Sequence, residues 1–86
     1  MTDPAIEASV REFLVGDVFY DRDLKDLGAG DSLLARGLLD SLSILKIVTF
    51  CEESFGVTIP DTEVLPEHID SVRAIAALVE KRRAAK

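Results

Sequence analysis

Eighty-six residues, 48% hydrophobic and 30% charged, are one globular domain's worth of chain, so 1–86 is read as a single domain with no room for a second core. Sixteen acidic residues against ten basic ones leave a formal charge of −6, and four of those ten (Lys81, Arg82, Arg83, Lys86) crowd a basic tail at 81–86. The acidic body argues against nucleic acid or an anionic membrane as the main partner, since both repel it, and favours partners with basic patches.

In chain order, the first helix opens where Asp3 can cap it, with Pro4 suited to the first helical position and Glu7 near the positive end. Ile6, Val10, Phe13 and Leu14 follow the helical spacing of one apolar face, and Gly16 is expected to end it. From Gly16 to Asp40 glycines and aspartates loosen the pattern, yet Val18, Phe19, Leu24, Leu27, Leu33, Leu34, Leu38 and Leu39 recur through it. A long connection so rich in apolar residues is expected to lie against the helices as core, with a short helical turn around Ser32 to Arg36.

The second helix is predicted from about Ser41 to Phe55, with Ile44, Val48, Cys51 and Phe55 in one apolar row and Ser43, Lys46, Thr49 and Glu53 on a narrower polar stripe. Gly56 stands where a helix C-terminus wants positive φ, and Val57-Thr58-Ile59-Pro60 reads as an extended linker. Asp61 is expected to cap a short third helix, roughly Thr62 to Leu65. Asp70-Ser71 caps the last one, where Val72, Ile75, Ala76 and Val79 share a face and Lys81 to Arg83 complement the helix dipole. The sum is all-α: a small four-helix bundle of three longer helices and one short one, with a long packed loop between the first two.

One cysteine gives no internal disulfide, and its place on the apolar row marks Cys51 as a buried structural thiol. The start MTDPAIEASVREF lacks a basic stretch followed by an apolar run, so no signal peptide is expected, and no apolar run reaches membrane-span length. A cytoplasmic monomer is the expectation.

The triplet Asp-Ser-Leu occurs twice, at Asp31-Ser32-Leu33 and Asp40-Ser41-Leu42. After Ser32 the chain meets Gly37 within five residues, whereas after Ser41 come about fourteen residues without glycine or proline. Ser41 therefore opens a long helix, where free backbone N–H groups and the dipole favour a phosphate. The competing reading is that Ser41 is a plain N-cap in a small helical interaction module.

Gly37-Leu38-Leu39-Asp40-Ser41-Leu42 resembles the attachment motif of acyl carrier proteins and of aminoacyl or peptidyl carrier domains. The resemblance continues through Glu52-Glu53-Ser54-Phe55-Gly56-Val57 and Ile59-Pro60-Asp61 into the last helix, at the family's intervals. It implies a carrier without catalysis of its own, bearing 4′-phosphopantetheine on Ser41, placed there from coenzyme A by a phosphopantetheinyl transferase that recognises Asp40 and Leu42. Acyl or aminoacyl thioesters on that arm would be loaded by a ligase and passed to acyl-transfer or condensing enzymes. Partner docking falls to Leu42, Lys46, Thr49, Glu52 and Glu53, and Leu45, Phe50, Ile59 and Ile69, with Leu42, are the candidate lining for a cargo pocket. Phosphoprotein chemistry, a thioester cargo and fatty-acid or polyketide biosynthesis are what the family implies.

The sequence also departs from that family. Fatty-acid carriers are strongly acidic just after the serine, but here Ser43, Ile44 and Lys46 follow, and the acids return only at Glu52 and Glu53. A reversed charge near the docking centre changes which enzymes are tolerated, and points to a specialised pathway. The Pro66-Glu67-His68-Ile69-Asp70-Ser71-Val72 ending resembles stand-alone carriers of specialised pathways, which include aminoacyl, D-alanyl-like and polyketide types. His68, the single histidine, reads as a surface residue with no catalytic partner. With no nucleophile elbow the chain offers no Ser-His hydrolase pair, and with one Cys and one His it has no metal-ligand spacing.

Overall fold

The computed structural model describes residues 3–24 and 26–84; Lys86 of the basic tail lies outside the described residues. Helix α1 (Pro4–Phe13) starts as its residues dictate: the Asp3 carboxylate accepts the Ala5 N–H at 2.8 Å, and Ile6 and Val10 are buried. The helix does not stop at Gly16. It widens into a π-helical turn, Leu14–Val18, closed by the Phe19 N–H on the Leu14 carbonyl at 2.9 Å. The wider turn brings Leu14 and Phe19, five residues apart, to the core side together, which 3.6 residues per turn would not do.

The connection from Phe19 to Asp40 is packed, as its leucines require. Phe19, Leu24, Leu27, Leu33 and Leu38 are buried, while Leu34 stays 57% exposed. The Arg11 guanidinium donates to the Leu27 carbonyl. A helical turn forms at Ser32–Arg36 and ends at Gly37 with φ +71°, where Leu38 N–H reaches Leu33 C=O and Gly37 N–H reaches Leu34 C=O. That pair of bonds needs a left-handed residue between them, hence the glycine.

Helix α2 (Ser41–Phe55) runs fifteen residues to Gly56, whose φ of +64° caps it. Its buried stripe is centred on Ser43, Ile47 and Cys51, with Ile44, Val48 and Phe55 partly buried beside it. Ser43 thus moves from the expected polar stripe to the interior. It sits at the helix start, where its backbone N–H donates to the Asp40 carboxylate at 2.8 Å. Burial pushes the Cys51 thiol up to about 12, with the Glu52 charge adding to the shift, so it is an inert neutral packing group.

Residues 57–60 form no regular secondary structure, with Pro60 extended and Val57 and Ile59 buried. The expected short third helix is instead two single 3₁₀ turns, Asp61–Glu63 and Pro66–His68. Pro66 lacks the N–H a continuing helix needs and holds Leu65 extended (φ −113°, ψ 145°), so the turns cannot join. Asp61 lies inside the first turn; Pro60 precedes it, with no side-chain cap.

Helix α3 (Val72–Ala84) is capped by Ser71, whose Oγ accepts the Ala74 N–H at 3.0 Å. Asp70 turns to the loop instead: Oδ2 accepts from the Ser32 hydroxyl and Oδ1 from the Leu34 N–H, both at 2.8 Å. Arg73 N–H on Ala29 C=O at 2.9 Å adds to this clasp. α1 packs along α3, tied at one end by Asp3 N–H on Glu80 Oε2 at 2.9 Å. The result is all-helical: three helices, the single turns and a packed loop around one cluster of buried residues. Among the described residues no helix is long and apolar enough to cross a membrane.

Candidate functional site

The start of α2 divides its labour between two neighbours. Asp40 is extended (φ −147°, ψ 177°) and its carboxylate accepts the Ser43 N–H at 2.8 Å, so the capping role belongs to Asp40. The Ser43 backbone N–H and hydroxyl hold the Asp40 carboxyl below the ordinary carboxylate range, with a smaller contribution from the Lys46 charge. Ser41, the first residue of the helix, is exposed, and its hydroxyl has no hydrogen-bond partner among the described residues. The plain-cap reading of Ser41 does not hold. The other serine is occupied: the Ser32 hydroxyl accepts the Ala35 N–H at 3.0 Å and donates to Asp70.

A covalent phosphate ester fits Ser41. Its oxygen is accessible, it stands at the positive end of a fifteen-residue dipole, and Lys46 offsets the Asp40 charge that would repel a phosphodiester. Ser32 offers none of these features.

From Ser41 an open groove of about 340 Å³ runs between α2 and the 59–64 segment, with Ile44, Leu45, Val48, Ile59 and Val64 as its apolar walls and Thr49, Glu52 and Asp61 at its edges. Of the five candidate pocket residues, Leu45 and Ile59 line this groove and Leu42 does not. Phe50 stacks on Phe13 on another side of α2, and Ile69, 1% exposed, is part of the core. Leu42 and Leu45 are each 61% exposed, and with Lys46, Thr49 and Glu53 they form one exposed face of α2.

Two residues carry structural duties that sequence reasoning missed. Glu52 Oε2 accepts the Ile59 N–H at 2.8 Å, tying the linker to α2. His68 is half-buried and bound: its Nδ1 donates to the Glu63 carbonyl oxygen at 2.8 Å and lies 3.5 Å from the Glu63 carboxylate. Lys81 completes that contact with Glu63 at 2.6 Å, holding the 3₁₀ segment on α3. Only the spacing of opposite charges hinted at it, and spacing does not say which pairs meet.

Two comparisons bear on this geometry. Residues 14–79 match the family of the phosphopantetheine attachment site. The chain is also 44% identical over 77 residues to a D-alanyl carrier protein of Abiotrophia defectiva, covering 90% of this chain and 91% of the relative. The chain belongs to the phosphopantetheine-attachment family, as a carrier of acyl or aminoacyl groups on a covalently held 4′-phosphopantetheine.

Proposed function

We propose that Ser41 is the attachment residue and that the protein presents thioester cargo from that point to a sequence of partner enzymes, with no catalysis of its own. The observation that carries this is the unencumbered Ser41 hydroxyl at the first position of α2, released from capping by Asp40. When attached, the arm's thiol holds acyl or aminoacyl cargo as a thioester. The chain's own residues do the rest: Ser41 supplies the oxygen of the phosphodiester, Asp40 keeps the helix start rigid, and exposed Leu42 is in place for a transferase to grip. The exposed α2 face with Leu42, Lys46, Thr49 and Glu53 is the docking face for the transferase, a loading ligase and acyl-transfer or condensing enzymes. Glu52 contributes indirectly, by holding the linker beside that face.

Aminoacyl cargo is the favoured subtype, on the D-alanyl relative and on the groove edged by Glu52 and Asp61, which suits an ammonium better than a long alkyl chain. That cargo would come from a ligase that adenylates an amino acid, in a specialised pathway within the cytoplasm.

The test is intact mass after incubation with coenzyme A, Mg²⁺ and a broad-specificity phosphopantetheinyl transferase. Wild type and Ser32→Ala should each gain one phosphopantetheine, and Ser41→Ala none. A gain that persists in Ser41→Ala but disappears in Ser32→Ala would move the site to the other triplet.

A further inference from the structure

On the side of α2 away from Ser41, three phenylalanine rings form a partly exposed stack. Phe50 and Phe13 lie 4.0 Å apart between ring centres with planes within 7°, and Phe55 meets Phe50 edge-on at 5.8 Å and 86°. All three are half-buried. They line an open groove of about 540 Å³, together with Glu12, Gly16 and Asp17 from the end of α1 and the π turn. Nine residues separate Phe50 from Ser41, about two and a half turns of α2, so groove and attachment point face opposite ways.

Three features mark this groove as more than leftover core. An aromatic stack left half-open to water is a large apolar area that the aliphatic stem of a long cationic side chain can cover. The exposed carboxylates Glu12 and Asp17 border it, and neither has an ion-pair partner among the described residues. Gly16 leaves the groove unfilled although packing does not demand a glycine there: a Cβ would meet nothing within 4 Å. The neighbouring α2 cation, Lys46, stands one turn before Phe50 and is not part of the lining.

We propose that this groove docks a cationic segment of a partner protein, the stem of an arginine or lysine covering the Phe13 and Phe50 rings while its charge meets the carboxylates of Glu12 and Asp17. Charge sets the occupant, because a nucleic acid or an acidic surface would be repelled by the same rim. A partner seated there leaves Ser41 free. The carrier is thereby held within an assembly while its arm serves several enzymes, at the high effective concentration that tethering gives.

The probe is an acetylated, amidated peptide, Leu-Arg-Ala-Leu-Leu-Arg-Ala-Leu, titrated into the isotope-labelled, phosphopantetheinylated full chain and followed by amide chemical shifts. Shifts should centre on Phe13, Gly16, Phe50 and Ser54 and weaken with added salt. Gly16→Leu should fill the groove and weaken binding roughly tenfold, as should the pair Glu12→Gln with Asp17→Asn. Gly16→Leu should keep the thermal midpoint and accept phosphopantetheine normally, so lost binding reads as a blocked groove and leaves the Ser41 assignment untouched. No binding, shifts confined to Leu42, Lys46 and Glu53, or full binding by Gly16→Leu would each overturn the proposal. So would a peptide-free dimer that Gly16→Leu abolishes, which would give the groove to a second copy.

Discussion

Glu52 is the residue where position and role part company. The family resemblance sets it among the acids of α2 expected to face partners, yet its Oε2 accepts the part-buried Ile59 N–H at 2.8 Å. A linker without regular secondary structure has no ladder to satisfy its backbone, so this carboxylate stands in for a strand partner. Glu52→Ala strands that N–H and should cost about 1–3 kcal/mol in urea unfolding, while Glu52→Gln, which keeps an acceptor oxygen, should recover most of it. If both variants unfold like wild type, the tie contributes nothing. The start of α2 near Ser41 and the burial of Cys51 were legible in the residues themselves, because helix length and apolar spacing are local, whereas the capping role of Asp40 was not. The Glu52 tie was not, since no local pattern says which distant N–H a carboxylate will meet.

At the level of elements the same division recurs. The three long helices were readable from caps and period, down to Gly56 at the end of α2. Thr62 to Leu65 reads as a short helix because polar residues ahead of an apolar pair imitate a helix start, but Pro66 forbids its continuation and the segment Asp61–His68 forms two 3₁₀ turns instead. What holds this segment is electrostatic. The Glu63 carboxyl sits below its ordinary range, chiefly through its bond to Lys81, with the charges of Lys81, His68 and Arg82 adding. A carboxyl lowered in the fold means the unfolded chain takes up the proton first as pH falls. Its contribution is therefore complete above the unfolded value of 4.5 and is lost as pH drops through the folded one. Thermal midpoints measured from pH 6 down to 3 should fall more steeply for wild type than for Glu63→Gln, with the variant already less stable at pH 6. Parallel curves would remove Glu63 from the acid limb.

For the whole molecule, the question is what keeps some twenty residues between the π turn and α2 from behaving as a free loop. Its leucines announced that it would be packed, and five buried side chains bear that out. The partner it packs on could not be read, because Asp70 looks in sequence like one more helix cap. In the structure Ser71 does the capping, and Asp70 grips the loop through Ser32 and Leu34 while its carbonyl accepts the Leu33 N–H at 2.6 Å. This clasp fixes the turn that ends at Gly37, three residues before Asp40, and so sets where α2 begins. Asp70→Ala removes two of the three bonds and leaves the carbonyl one. The expected loss is about 1–2 kcal/mol, moderate because the Leu34 bond is solvent-exposed. Faster amide exchange should appear at Leu33, Leu34 and Ala35, with the middle of α2 unchanged. With Ser41 as the proposed attachment residue, phosphopantetheine transfer should still occur but with a raised KM, because that serine then stands on a less fixed helix start. Unchanged exchange through residues 33–35 would mean that buried leucines alone order the loop, and that Asp70 is only a passenger in the clasp.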